Sequence, residues 1–257
     1  MNPQLLVLCY HAISDTWPEQ TAVASWDLSG QIEALLARGY RGATFTDALT
    51  APPSPRTLVV TFDDAAASVY HRAAPVLDAL GVPGTVFVPT DFPDRSEPMA
   101  WAGLEHWVGG PHEAELACMS WEQLGTLLEN GWEVGSHTCS HPRLPSLADE
   151  ELDRELRDSR CECEKRLGAD CLSLAYPYGA VDDRVARAAR RAGYAVAAIA
   201  PVAPTPPLPL LWPRVGVYRG DSPRRVWLRA RHRALGSTPL VGASLATAKR
   251  AVDAFRR

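Results

Sequence analysis

The sequence lacks three features, each of which would define a class of protein. Its 257 residues carry 26 Lys and Arg against 30 Asp and Glu, a net charge of −4, which argues against a general nucleic-acid binder. No apolar run approaches the ~20 residues of a membrane span, since the longest, 192–203, contains Gly193 and Pro201. The 6 cysteines are too few for a disulfide framework at this length, which predicts reduced thiols.

No secretory leader is visible either. The chain opens Met1-Asn2-Pro3-Gln4, and no Lys or Arg precedes a short apolar run that fits a buried strand. We therefore expect a soluble, cytoplasmic protein. A composition of 46% hydrophobic and 22% charged residues is typical of a globular fold with a sizeable core. We expect one domain over 1–257, with a helical tail after about residue 217.

Strand and helix patterns alternate along most of the chain, which predicts a parallel α/β architecture, either a barrel or a doubly wound sheet. Residues 57–62 (TLVVTF) read as a buried strand, Asp27 as a helix cap, and Ser120-x-x-Gln123 as a capping box. Two stretches break the rhythm. Residues 91–118 are rich in Trp and His without periodicity and predict a loop that shapes a binding site. The proline-dense residues 201–213 predict an extended connector.

Three segments place polar residues directly after predicted strands, where α/β folds build their sites. In the first, Asp63 and Asp64 follow the strand 57–62; one Asp is enough to cap the next helix, so the second is surplus. In the second, His137 and His141 have the i, i+4 spacing that places both on one face of a helical turn. Two surface histidines also take this spacing by chance. With a carboxylate, the pair makes a two-His, one-carboxylate metal site.

The third segment is the turn Tyr176-Pro177-Tyr178-Gly179, after the predicted strand 172–175. Such a turn can present a backbone N–H to a ligand, or it can simply connect a strand to a helix.

These motifs resemble those of the polysaccharide deacetylases, the NodB-homology domain of carbohydrate esterase family 4. The matching segments, in the family's order, are TFDD at 61–64, HTCSH at 137–141 and YPYG at 176–179, with softer matches LCYHAIS at 8–14, TVFVPTDF at 85–92 and WPRVGV at 212–217. The resemblance implies an irregular, incomplete (β/α) barrel.

The resemblance also implies residue roles. Asp63 is then the catalytic base, and the Tyr178 N–H helps to hold the oxyanion. The implied ligands of a divalent metal are Asp64, His137 and His141. Zn²⁺ is the first expectation, with Co²⁺, Ni²⁺ and Fe²⁺ as alternatives.

Three positions depart from the family pattern. Ala175 stands where many members carry an Arg, so Arg214 is our candidate for the positive partner of Asp63; pairing with a surface acid is the equal alternative. Ala65 stands where Gly is common. The only histidine after 141 is His232, in a basic run.

His11, directly after the first strand, is therefore the better candidate for the catalytic acid. In this the chain resembles the subgroup that carries the acid motif on the N-terminal strand, where the first and last strands of the barrel are neighbours. A satisfied core histidine is the alternative.

The function expected from this resemblance is metal-dependent removal of an N-acetyl group from an amino sugar or glycan. A deformylase or amidase acting on a small or lipid-linked amino sugar or a non-sugar amide, and an inactive carbohydrate-binding relative, are the alternatives. Neither a nucleic-acid partner nor a membrane span is expected; the sequence leaves the oligomeric state open. Four tryptophans are candidates for sugar stacking or for the core: Trp101, Trp107, Trp121 and Trp212.

Overall fold

The computed structural model describes residues 4–52, 54–200 and 208–236. Its main feature is a sheet of nine strands in which every pairing is parallel. The strands are β1 Leu5–Tyr10, β2 Ala12–Ile13, β3 Ala22–Val23, β4 Arg41–Gly42, β5 Thr57–Phe62, β6 Gly84–Val88, β7 Glu133–Ser136, β8 Ser173–Ala175, β9 Val196–Ile199, β10 Trp212–Pro213 and β11 Val215–Gly216. Of these, β2 and β3 form a separate small pair.

Helices cover the outside of this sheet and connect its strands. They are α1 Ser25–Leu36, α2 Phe45–Thr50, α3 Ala74–Ala79, α4 Trp121–Glu129, α5 Asp149–Leu167, α6 Asp183–Arg191 and α7 Pro223–Gly236. None of the helices in the described part of the chain is long and apolar enough to cross a membrane.

The sheet nearly closes on itself, in the order β10-β9-β8-β7-β6-β5-β1-β11. The two outermost strands are neighbours in sequence: β10 pairs with β9, β11 pairs with β1, and only Arg214 separates them. Residues 212–216 therefore bridge the two edges and make a nearly closed barrel. This confirms the irregular (β/α) barrel and places the first strand beside the last.

Side chains of a strand point alternately into and out of the barrel, so residues two apart on a strand face the same side. Inward-facing side chains of neighbouring strands lie at the same height and form layers. Val7 of β1 lies opposite Val59 of β5, and Cys9 opposite Thr61. Val7 and Val59 belong to an apolar cluster that α2 and Trp212 complete. Polar residues continue the same faces toward the carboxyl ends of the strands. The barrel interior therefore contains an apolar layer, with polar groups beyond it at the carboxyl ends of the strands.

Three local expectations have different outcomes in the structure. Helix α1 begins at Ser25 with Ala24 as its cap, so Asp27 is not the cap residue; it lies in the first turn, where a carboxylate favours the helix dipole. The capping box of Ser120 and Gln123 at α4 is confirmed. Most of the proline-dense connector, residues 201–207, lies outside the described residues, as does the chain after 236.

Candidate functional site

A cavity of about 340 Å³ opens at the carboxyl ends of the barrel strands. Parallel strands in α/β folds present their polar loops at this end. The cavity lining includes every residue proposed from the sequence for catalysis or metal binding: His11, Asp63, Asp64, His137, His141, Tyr178 and Arg214.

Three of these residues converge on one point. Asp64 follows β5, and its Oδ1 lies 3.4 Å from Nε2 of His137 and 3.4 Å from Nε2 of His141. All three side chains are nearly buried, and Asp64 Oδ1 has no hydrogen-bond partner among the described residues. A buried carboxylate oxygen without a partner is costly, which indicates that another group belongs here.

A divalent cation fits these donors. His137 Nδ1 lies 2.7 Å from the carbonyl oxygen of Ala175; because a carbonyl only accepts, Nδ1 carries the proton and Nε2 points toward Asp64. A single proton can serve only one of the three converging atoms, whereas one cation can serve all of them. Ligands about 2.1 Å from a tetrahedral zinc ion are about 3.4 Å apart, close to the two distances between Asp64 and the imidazoles.

The two histidines are held in different ways. Ligand histidines usually donate their second nitrogen to a partner, and His137 does so through Ala175. His141 Nδ1 is buried without a partner among the described residues. Its ring instead stacks on Trp101, with centroids 4.1 Å apart, and meets the edge of Tyr178 at 4.7 Å.

The pKa shifts of the two rings differ as well. Burial is the largest effect at His141 and lowers its pKa to about 4, so the ring is neutral near neutral pH. Burial opposes charge on His137 too, but its contact with Asp64 and the nearby carboxylates raise its pKa above the usual range. A cation bound between these groups would take the place of the proton on His137 Nε2.

The helical turn expected for residues 137–141 is wrong. Thr138 and His141 have φ of 69° and 62°, in the left-handed region, and the segment is a loop. A carboxylate from α5 holds it: Glu155 accepts hydrogen bonds from the backbone N–H groups of Cys139 (2.8 Å) and Ser140 (3.0 Å) and from the Ser140 hydroxyl (2.6 Å). The two imidazoles meet because of this loop, not because of helical periodicity.

Glu155 was missed by the sequence analysis, although a signal was present. It lies three residues after Leu152 and four before Ser159, both buried on the inner face of α5. A carboxylate in such a stripe needs a polar partner.

A second arrangement joins Asp63 to Arg214. The guanidinium donates to both carboxylate oxygens, at 2.7 Å each, and also to Thr61 Oγ1 at 3.0 Å. Arg214 is only 1% exposed, which excludes the surface pairing considered as an alternative. Its position between β10 and β11 allows its side chain to reach into the barrel.

This pairing determines the charge of Asp63. Burial alone raises the pKa of Asp63, but the charge and hydrogen bonds of Arg214 outweigh burial and hold this pKa well below its usual range. Asp63 is therefore ionised near neutral pH.

The N-terminal strand contributes two groups. His11 follows β1, and its Nδ1 is buried with no partner among the described residues, so it is not a satisfied core histidine. Cys9, two residues earlier, donates from Sγ to Asp63 Oδ2 at 3.6 Å; its sequence context predicted only a reduced thiol. The side chain of His232 lies outside the described residues.

The turn at 177–179 also lines the cavity. Tyr178 has a left-handed φ of 57°, and its ring lies 4.5 Å beneath the guanidinium of Arg143. Gly179 is required here, because a Cβ at this position would lie 2.1 Å from the Cβ of Ala200. The Tyr178 ring lies 4.7 Å from the ring of His141, so this turn lies beside the two histidines.

Among the four candidate tryptophans, only Trp101 lines the cavity. Trp121 and Trp212 are buried in the core clusters. Trp107 meets the edge of Trp17 at 5.7 Å, in a small cluster that holds the 91–118 excursion against the N-terminal loop. The excursion therefore forms a wall of the cavity, as its composition predicted.

Comparisons with known proteins agree with this picture. A family profile described as polysaccharide deacetylase matches residues 50–197, a range that leaves out His11 and Arg214. The Bacillus subtilis protein YxkH, provisionally named a polysaccharide deacetylase, is 25% identical over 190 residues, which are 72% of this chain and 60% of YxkH. The chain therefore spans less than two thirds of that relative.

Two solved structures share the fold. The Streptococcus pyogenes deacetylase PplD, solved in complex with acetate, has a TM-score of 0.72 at 21% identity and covers 89% of this chain and 99% of its own. A Bacillus cereus polysaccharide deacetylase has a TM-score of 0.72 at 22% identity and covers 88% of this chain and 68% of its own.

Proposed function

The chain belongs to the polysaccharide deacetylase family, and we propose that it is a metal-dependent hydrolase acting on an N-acetylated amino sugar or glycan. It releases acetate and leaves a free amine. One observation carries the proposal: Asp64 Oδ1, buried and unpartnered among the described residues, faces two imidazole nitrogens beside an Asp63 held ionised by Arg214. A cation site and a base side by side are the arrangement that metal-assisted amide hydrolysis uses.

Asp64, His137 and His141 would hold the metal, for which we propose Zn²⁺ ahead of Co²⁺, Ni²⁺ or Fe²⁺. When bound, such an ion makes water more acidic and polarises the carbonyl of the substrate. Two neutral imidazoles and one carboxylate leave positions open for water and substrate, as a catalytic site needs.

Asp63 accepts the proton of the attacking water. A carboxylate with a lowered pKa is a weak base, so it depends on the acidified water as its partner. Its two hydrogen bonds to Arg214 fix both oxygens, at 2.7 Å each, and so aim the remaining lone pairs. Arg214 acts on the reaction through Asp63 and is a positioning residue.

His11 donates a proton to the leaving nitrogen, so that the product leaves as an amine. Histidine suits this step because imidazole exchanges protons near neutral pH. The Tyr178 N–H donates to the oxyanion of the tetrahedral intermediate, and removal of such a donor costs about 3–4 kcal/mol in the transition state.

The test combines metal analysis with acyl release. Protein purified without added metal is analysed by elemental mass spectrometry and then assayed on a panel of N-acetyl and N-formyl amino sugars of different chain lengths. We expect one bound transition metal per chain and acetate release, both lost in His137→Ala. Formate release in place of acetate would favour the deformylase alternative. A metal-free protein that binds the sugars without cleaving them would overturn the proposal.

A further inference from the structure

A second group of metal-competent atoms lies in the same cavity. One ligand atom each from Cys9, His11 and Asp63 falls within 4.8 Å of the others. None of the three belongs to the Asp64, His137 and His141 cluster, which meets the same criterion separately.

Strand geometry explains the convergence. Cys9 ends the inward-facing series of β1, and His11 follows two residues later on the same side. Tyr10 lies opposite Phe62 in the register of β1 with β5, which places Asp63 beside His11 on the neighbouring strand. The parallel pairing of two strands therefore brings a thiol, an imidazole and a carboxylate together.

Each of these groups has capacity for a ligand. His11 Nδ1 is buried without a partner among the described residues. The Cys9 thiol makes a long contact, 3.6 Å, to Asp63 Oδ2. Asp63 binds Arg214 through both oxygens. Because each carboxylate oxygen has two lone pairs, Oδ1 retains one, and Oδ2 regains one when the Cys9 thiol loses its proton. All three residues line the cavity, so an ion in the cavity can reach them.

We propose that Cys9, His11 and Asp63 form a second metal site, which is selective for thiophilic divalent ions: Cd²⁺, and Zn²⁺ when it is present in excess. An ion bound at this site inhibits the hydrolase. Thiolate ligands favour these soft ions over Mg²⁺ or Ca²⁺. On binding, the Cys9 S–H bond breaks, its proton leaves to solvent and a sulfur–metal bond forms; nothing is oxidised or reduced. Burial raises the pKa of the Cys9 thiol, so the thiol stays neutral until such an ion arrives.

Inhibition rests on the proposed function. An ion on these three residues occupies both the proposed base, Asp63, and the proposed acid, His11. The site itself does not depend on that function, because metal binding is measured without any substrate.

Cadmium titration tests the site directly. Metal-free protein in a buffer without thiol reductants is titrated with Cd²⁺, with bound metal counted by equilibrium dialysis and thiolate ligation read from the ultraviolet sulfur-to-cadmium charge-transfer band. We expect the unmodified protein to bind two equivalents of Cd²⁺ per chain and to show the charge-transfer band. Cys9→Ser and Cys9→Ala should each lose one equivalent of Cd²⁺ and the whole band. Cys118→Ser is the matched control, because Cys118 lies near the Asp64 backbone, 3.9 Å from its carbonyl oxygen, but outside the group; it should keep both. Asp64→Asn should lose the other equivalent and keep the band.

Either of two outcomes would overturn the site: a single equivalent in the unmodified protein, or a band that survives in both Cys9 variants with circular dichroism showing that they are folded. For inhibition, each variant's acetate release is measured at one equivalent and at a large excess of Zn²⁺. We expect the excess to lower the rate at least tenfold in the unmodified protein and in Cys118→Ser, and less than twofold in the Cys9 variants. Equal inhibition in all of them would overturn the inhibitory role. Absence of acetate release with an intact band would count against the proposed function and not against the site.

Discussion

Two carboxylates at opposite ends of the barrel differ in how completely their oxygens are hydrogen-bonded. Glu133, at the amino end of β7, accepts hydrogen bonds from the backbone and hydroxyl of Thr46 and from the hydroxyls of Thr85 and Ser173. These donors come from α2, β6 and β8. Asp64, past the carboxyl end of β5, has an oxygen with no partner among the described residues. The amino end is thus built for stability, while the carboxyl end keeps unsatisfied groups for a ligand.

The backbone shows the same contrast. The described residues include seven non-glycine positions with positive φ, and five lie in the loops that carry the site: Asp64, Ala65, Thr138, His141 and Tyr178. Each such residue costs about 1 kcal/mol or more relative to an ordinary conformation. Ala65 takes this conformation, at φ 53°, in which a glycine would avoid the steric cost of the Cβ. Strain is concentrated where chemistry is proposed.

Removing the unsatisfied carboxylate should have the largest effect on function. We expect Asp64→Asn to abolish metal binding at the Asp64, His137 and His141 site and to lower acetate release by about 10³-fold, equivalent to about 4 kcal/mol. Elemental analysis and the release assay measure the two losses. A variant that keeps both its metal and its rate would show that Asp64 is not a ligand.

Breaking the Asp63–Arg214 pair tests whether the carboxyl end also contributes stability. Arg214→Met leaves a buried carboxylate without its cation and should destabilise the protein by about 3–5 kcal/mol in urea unfolding. Arg214→Lys keeps the charge but loses the two-point geometry, so it should retain more stability while still lowering kcat. If Arg214→Met unfolds at the same urea concentration as the unmodified protein, the pair does not stabilise the fold.

Glu155 resembles Glu133 in that its carboxylate accepts several hydrogen bonds, but its donors are Cys139 and Ser140, in the loop between the two site histidines. We expect Glu155→Gln to weaken metal affinity by about 10–100-fold, with kcat largely restored at saturating metal. Glu151→Gln is the control, because Glu151 lies on the same helix and contacts only the helix start. Competition with a chelating dye measures both affinities, and equal affinities would refute the positioning role.

The smallest effect on function should come from the amino end. Glu133→Gln replaces an acceptor by an amide and leaves at least one donor unpaired, which should cost about 1–3 kcal/mol of unfolding free energy. Metal affinity and kcat should not change. Glu129→Gln, at an exposed position on α4, should leave unfolding unaffected. If Glu133→Gln clearly loses metal, the amino end of the barrel also contributes to metal binding, and the contrast between the two ends is wrong.

The elements that follow from local pattern were predictable. The strand Thr57–Phe62 was predicted with its observed bounds, and the capping box at Ser120 is present. Apolar runs and cap residues act within a few positions, so the sequence carries their signal. The bend of residues 137–141 was not predictable in this way, because Glu155, 14 residues after His141, holds the loop through α5.

The amino-acid sequence by itself determined the strand–helix alternation and the residue types at the strand ends, since both depend on near neighbours. Only the tertiary structure decided which of those residues meet. Arg214 reaches Asp63 because residues 212–216 close the barrel, and Cys9 lies beside Asp63 because β1 pairs with β5. Contacts between residues some 50 or 150 positions apart depend on strand order and register, and no local pattern in a single sequence encodes those.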